Sequence, residues 1–213
     1  MKKSLYLLLF ITSVSFAQAG FGVEAGLAKT GFASLSTHQG SDLLGPFFNV
    51  YNDVQIGSIL YITPQIGYSK RGGNLSPLLS YVPPANLTPK ITKAEYSLNY
   101  IDLSLLLKAR LSSPEAHLMF MVFGGPTLNY FAGGKVKLSY AGNAPGVEKD
   151  ADGISTVGIG ATFGAGLGVH APGGLIEFRS VIFTQFTSSV ESNTGLDLRN
   201  ISQGLSITWH LDL

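Results

Sequence analysis

Eight ionisable side chains are spaced so that they could share one interior. Glu24, Asp102, Glu177 and Asp212 bring negative charge; Arg71, Lys108, Arg110 and Arg179 bring positive charge, and His210 stands among them. Most sit between apolar neighbours: Glu24 between Val23 and Ala25, Asp102 between Ile101 and Leu103, Lys108 between Leu107 and Ala109, Glu177 between Ile176 and Phe178. In an extended chain this spacing puts each charge on the face opposite an apolar row. Gathered together, four acids and four bases could conduct protons or ions, or neutralise one another as a plug. Buried charges are tolerated only when paired, and a narrow barrel is filled by its own side chains. The plug is the expected outcome.

Other chemistry is thinly supported. There are no cysteines, so thiolate, disulfide and cysteine-metal chemistry are excluded. The histidines, His38, His117, His170 and His210, are scattered. Only His38 falls in an expected outer loop, near Ser36, Ser41 and Asp42, and adjacency in sequence does not make a triad. Asp150-Ala151-Asp152-Gly153 lacks the remaining ligands of a calcium loop and reads as a solvated turn. The glycines around Gly160 to Gly164 follow no strand-to-helix switch, so they are not a nucleotide fingerprint. A non-enzymatic protein without metal or cofactor is expected.

The elements that must carry these charges are strands. Phe21, Val23, Ala25 and Leu27 alternate with Gly22, Glu24, Gly26 and Ala28 in a strand over 20–29. A second, less regular strand over 45–56 puts Phe48, Val50, Val54 and Ile56 on one face together with Asn52. A third, over 59–71, sets Leu60, Ile62, Pro64, Ile66 and Tyr68 against Tyr61, Thr63, Gln65, Gly67, Ser69 and Arg71. The fourth, over 96–111, sets Ile101, Leu103, Leu105, Leu107 and Ala109 against Tyr100, Asp102, Ser104, Leu106, Lys108 and Arg110. In the fifth, over 118–130, the supposed inner face begins apolar, with Met119, Met121 and Phe123. The sixth, over 157–169, pairs a wholly apolar row with glycine and threonine, space for long side chains from opposite strands. Strands over 176–186 and 205–213 complete eight.

Connections alternate in length. Long polar segments near 30–44, 72–94, 132–154 and 187–198 contrast with short ones near 57–58, 112–114 and 171–174. Short periplasmic turns, long outer loops and an even strand number mark an up-and-down outer-membrane barrel. Most of the strands offer 10–13 alternating residues, enough to cross hydrocarbon. A further hairpin hidden in a long loop would make ten. Tyr68, Tyr96 and Tyr130 fall where an outer aromatic girdle would lie, with Phe21 and Trp209 near the other rim.

Composition points the same way. Only 13% of residues are charged and 26 are glycine, yet no run after the N-terminus is long and apolar enough for a membrane helix. Met1-Lys2-Lys3, an apolar stretch from Leu5 to Phe16, and Ala17-Gln18-Ala19 read as a cleaved signal peptide over 1–19, leaving a single barrel domain over 20–213. Losing Lys2 and Lys3 takes the formal charge from +1 to −1, which gives no electrostatic basis for nucleic-acid binding. The expected surroundings are outer-membrane lipid around a monomer, with the barrel-assembly machinery as the partner during biogenesis. The 75–89 segment, with Leu78, Leu79, Tyr81 and Val82, is apolar enough to dock a surface partner or to fold over the mouth.

Two blocks carry a family resemblance. Leu98-Asn99-Tyr100-Ile101-Asp102-Leu103-Ser104-Leu105-Leu106-Leu107-Lys108 resembles the Tyr-(Ile/Leu)-Glu-(Ile/Leu)-Pro-Leu-Leu-Leu-Lys strand of PorT-like outer-membrane barrels. Ile62-Thr63-Pro64-Gln65-Ile66-Gly67-Tyr68-Ser69-Lys70-Arg71-Gly72 resembles that family's Gln-Pro-Glu-Leu-x-Tyr-Ser-x-Lys-Gly strand. Asp102 and Ser104 depart from its usual Glu and Pro, and Leu213 ends the chain where an aromatic is usual. The resemblance implies a small outer-membrane barrel; secretion, the role of some members, would be an accessory one here. The remaining alternative is a soluble, exported lipocalin-like carrier, with the apolar rows turned inward and the charges outward.

Overall fold

The computed structural model describes residues 19–34, 40–75, 91–112, 117–140, 145–189 and 198–211. Among them every regular element is a strand: β1 (Ala19–Ser34), β2 (Gly40–Gln55), β3 (Leu60–Leu75), β4 (Ile91–Arg110), β5 (Leu118–Tyr140), β6 (Val147–Asp150), β7 (Val157–Ala171), β8 (Gly174–Gln185) and β9 (Leu198–Leu211). Eight of these form a closed antiparallel barrel in the order β4-β3-β2-β1-β9-β8-β7-β5, with β5 returning to β4. Closure satisfies every edge, which is the condition for a sheet surrounded by lipid. β6 does not join the wall; it pairs only with Lys135–Leu138 of β5. The segment over 132–154 thus hides a hairpin, and the barrel still has eight staves.

Which way the apolar rows look decides between the two kinds of barrel. Leu27 on β1, Phe48 on β2, Ile66 on β3, Leu105 on β4, Phe120 on β5, Phe163 on β7, Phe178 on β8 and Ile207 on β9 all face outward and are exposed. Glu24, Asp53, Arg71, Asp102, Lys108, Glu177 and Arg179 are buried inside. A carrier in water would require the reverse, so that alternative fails. In β2 the expected register holds, Asn52 included, because Val50↔Val23 and Phe48↔Ala25 align the two outward rows.

Strands run further than expected at the long-loop end. β1 continues to Ser34, β2 starts at Gly40, β3 ends at Leu75, β4 starts at Ile91 and β5 reaches Tyr140. There the outward positions turn charged, as at Lys29, Lys70, Lys135 and Lys137, which hides the period from a hydropathy reading. The inward row continues as Phe32, Ala94, Leu98 and Val136, which supports the extension from within. β5 changes parity on the way: a register shift between Asn99 and Tyr100 of β4 faces Gly133, whose φ of 128° suits glycine.

Tyr96 is a correction. It shares inward parity with Leu98 and Tyr100, is half-buried, and meets Phe32 edge-on at 5.7 Å. Tyr68 and Tyr130 are exposed on the outside as a girdle requires, as are Phe21 and Trp209 near the short-turn end. The glycine row of β7 makes space, but for neighbours rather than opposite strands. A Cβ on Gly164 would lie 2.2 Å from Cζ of Phe123 on β5, and one on Gly166 3.1 Å from Cγ of Arg179 on β8. The expected leader lies outside the described residues except for Ala19, which pairs with Val54.

Candidate functional site

The lumen is filled in layers. At the short-turn end Met119, Met121, Phe123 and Leu175 are buried inward, which explains why β5 starts apolar on both faces. Beside them Tyr51 stacks on His210 with ring centres 6.1 Å apart.

Alongside them lies an ionic cluster, with Lys108 paired in register with Phe123 and Arg110 with Met121. Lys108 donates to Asp53 Oδ2 at 2.7 Å and to Glu177 Oε1 at 2.9 Å. Arg110 reaches the same Asp53 oxygen at 3.0 Å. Arg179 donates through Nε to Glu177 Oε2 at 2.7 Å, its Nη2 binds that oxygen as well, and its Nη1 lies 3.7 Å from Glu24. Hydroxyls and an amide complete the carboxylates: Thr63 on Asp53 at 2.6 Å, Thr208 on Glu177 at 3.0 Å, Ser206 and Asn49 on Glu24 at 2.5 and 2.8 Å. His210 Nε2 stands 3.5 Å from Asp53. Arg179 also covers the Tyr51 ring at 4.6 Å, adding a cation–π contact.

Halfway along, Ser104, Thr127 and Thr162 form a hydroxyl chain with links of 2.9 and 2.8 Å. A cavity of about 40 Å³ adjoins it, bounded by Gln65, Ser69, Arg71 and Thr30, space for a few waters and nothing larger. Above it Arg71 pairs with Asp102, which also accepts from Ser69 and Asn129 at 2.7 Å each. The guanidinium lies 3.6 Å over the centre of the Phe183 ring. Asn200 then bonds Ser189 at 2.8 Å and Gln185 at 3.1 Å.

The long-loop mouth is closed by an apolar cap. Phe32, Ala94, Leu98, Tyr100, Val136, Ala151, Ile154 and Leu198 are buried together, with Leu75, Tyr96, Phe131 and Leu138 packed against them. The turn after β6 supplies Ala151 and Ile154, anchored by Ala151 N–H on the Gly134 carbonyl at 3.0 Å. The sequence Asp150-Ala151-Asp152-Gly153 therefore holds the cap in place, with Asp152 exposed and Gly153 at φ 69°.

Of the anticipated interior residues, Glu24, Arg71, Asp102, Lys108, Arg110, Glu177, Arg179 and His210 all enter the lumen, in two clusters. Asp212 lies outside the described residues, as do His38 and the 76–90 stretch. Asp53 takes the fourth acidic place. The sequence reading omits it because Asn52 on the outward row and Tyr51 on the inward row blur the alternation there, although its parity opposite Val54 and Ile56 puts it inside. Tyr51 and Asn49 share that parity and are omitted as well. With Asp53 included, four carboxylates face four strong bases among the described lumen residues.

The chain matches no family model and no curated protein. Solved structures similar to it include Neisserial surface protein A at 12% identity and TM-score 0.49, the alignment covering 92% of this chain and all of that one. The attachment invasion locus protein Ail of Yersinia pestis shares 12% identity over 92% of this chain and all of its own, with TM-score 0.43. The N-terminal β-barrel domain of Pseudomonas aeruginosa OprF shares 10% identity over 91% of this chain and all of that domain, with TM-score 0.38. These neighbours are small outer-membrane β-barrels.

Proposed function

We propose that this chain is a monomeric, non-enzymatic outer-membrane barrel of the PorT-like kind, exported with a cleaved leader and inserted by the barrel-assembly machinery. Its work is structural and adhesive: a sealed stave in the membrane that carries a rigid extension above it. One observation supports this above the rest. The apolar rows of all eight wall strands face outward while four acids and four bases are enclosed, an arrangement stable only where the surrounding solvent is hydrocarbon. The short-turn end, where β1 begins and β9 finishes, faces the periplasm; the prolonged β4–β5–β6 sheet faces outward, where a partner would meet it.

Two measurements test this reading. The chain should sediment with outer membranes, require detergent for extraction, and run faster unboiled than boiled on a gel; recovery in the periplasmic supernatant would end it. In planar bilayers the purified barrel should show no steady conductance, since ion pairs, a small cavity and an apolar cap succeed one another along the axis. Stable open channels would overturn the sealed lumen.

A further inference from the structure

The outer wall is not uniform at its long-loop end. Among the described residues, every outward-facing Lys, Arg, Asp and Glu lies at that end, and none at the other. On four successive strands the first charged residue beyond the apolar belt is Lys70 after Tyr68 on β3, Asp42 beyond Leu44 on β2, Lys29 after Leu27 on β1, and Arg199 before Ile201 on β9. On β8, β7 and β5 the same boundary is reached with Phe186, Val157 and Tyr130, all exposed and uncharged. The basic residues nearest the belt are thus on β3, β1 and β9, whereas Lys93, Lys135, Lys137 and Lys149 of β4, β5 and β6 stand farther along their strands.

Lys29 and Lys70 flank β2. Lys29 is opposite Leu44, and the Lys70 carbonyl abuts Gly45, where an added Cβ would lie 1.9 Å from it. Their side chains therefore leave the wall about two strand spacings apart, roughly 10 Å. Asp42 holds Lys29 at 2.7 Å, yet the ammonium side chain stays 72% exposed with protons to spare. Directly below stands an apolar shelf: Leu27 faces Leu205 across the β1–β9 pair, and Leu44 and Leu205, 69% and 72% exposed, are the barest large apolar residues among those described. A basic rim over an exposed apolar shelf complements an anionic head on acyl chains.

We propose that the β3-β2-β1-β9 sector binds a phosphate-bearing lipid of the surrounding membrane, with phosphates on Lys29, Lys70 and Arg199 and acyl chains along Leu27, Leu44 and Leu205. The binding rests on the barrel standing in a membrane. If fractionation places the chain in the supernatant, both readings fall; if the barrel is in the membrane but indifferent to headgroup, only this one does.

The test is native mass spectrometry of the full chain released from detergent, titrated with a diphosphorylated glycolipid, its dephosphorylated counterpart and inorganic pyrophosphate. The diphosphorylated lipid should be retained, and the dephosphorylated one should bind far more weakly. Near a charged membrane surface each Lys or Arg contributes about a five-fold effect, so the triple variant Lys29→Gln/Lys70→Gln/Arg199→Gln should bind on the order of a hundred-fold more weakly. The hairpin variant Lys135→Gln/Lys137→Gln/Lys149→Gln should bind as the parent does. Heat-modifiable mobility verifies that each variant is folded; should the triple variant fail to fold, Lys70→Gln alone is read for its five-fold loss. Equal retention by the rim variants and the parent, equal loss in the hairpin variant, or pyrophosphate bound as tightly as lipid would each overturn the proposal.

Discussion

The two ends of the lumen are filled differently: toward the short turns an ionic cluster stands beside Met119, Met121, Phe123 and Leu175, and toward the long loops the filling is apolar throughout. Toward the short turns, Lys108, Arg110 and Arg179 interlock with Asp53, Glu177 and Glu24. Toward the long loops, Phe32, Leu98, Tyr100, Val136 and Ile154 close the mouth with hydrocarbon. The difference follows from what lies outside each stretch of wall. Where the outer row must be apolar to meet lipid, a polar filling gives the sheet two distinct faces and fixes its register. Where the wall rises past the belt, its outer row is charged, and an apolar interior is again the stable arrangement, as in a water-soluble sheet. The barrel changes from inside-out to ordinary along its own axis.

Lys108 offers the strongest way to break that comparison. Its side chain is 1% exposed and it bonds both Asp53 and Glu177. Lys108→Met should leave two carboxylates short of a partner inside the wall, costing about 3–5 kcal/mol in urea unfolding from lipid vesicles. Neutralising Asp53 as well, in Lys108→Met/Asp53→Asn, should recover part of the loss. Because the cluster is shielded from solvent, molar salt should scarcely alter the difference. A cost below about 1 kcal/mol would mean that the ions are not the closure at this end.

Leu98, fully buried in the cap, is the matching probe at the other end. Leu98→Ala should cost about 2–5 kcal/mol, but locally. Hydrogen exchange should quicken in Ala94–Tyr100 and Val136–Leu138 while the amides of Leu103–Lys108 keep their protection. Uniform loss along β4 would show one cooperative unit and erase the distinction between the two ends. Gly164→Leu comes next, at about 1–3 kcal/mol for overpacking, since Phe123 occupies the space that its side chain needs. Pairing it with Phe123→Ala should recover only part of the loss, because the Ser180 carbonyl lies 2.5 Å from the same Cβ position, and no recovery at all would place the strain on that carbonyl rather than on the ring.

How much of this was legible in the chain depends on the solvent outside each stretch. Within the belt the outward row is apolar and the inward row largely polar, with Leu106 and the start of β5 as exceptions, so Asp102 between Ile101 and Leu103 announces its direction. Above the belt the outward row of β5 reads Lys135 and Lys137, the inward row Val136 and Leu138, and a parity change at Gly133 separates them from Asn129. That alternation looks like a polar loop because the outward signal has inverted. Asp53 is hidden differently: the outward row of β2 carries the polar Asn52 and its inward row the aromatic Tyr51, so the alternation around Asp53 loses contrast. The pairing of particular charges could not be read at all, because Lys108 meets Glu177 from a strand 69 residues away in sequence.

The mildest test concerns the hairpin above the belt, where water should weaken ionic contacts. Lys135 donates to Glu148 at 2.6 Å across β5 and β6, with both side chains largely exposed. The ammonium beside it lowers the Glu148 carboxyl from its ordinary value, and Glu148 in turn raises Lys135. A lowered carboxyl stabilises the hairpin fully above its unfolded value, 4.5, and loses that contribution as pH falls through the lowered value. A raised ammonium does so below 10.5 and loses it as pH climbs through the raised one. Protection of the Val147–Asp150 amides, corrected for intrinsic exchange, should therefore be level between these limits and decline slightly in acid. In Glu148→Gln the acid decline should vanish, and in the parent salt should lessen it, in contrast to the salt-indifferent Lys108 cluster. Identical acid profiles in parent and variant would remove the pair from the hairpin's stability and leave Ala151 and Ile154, tucked into the cap, as what holds β6 in place.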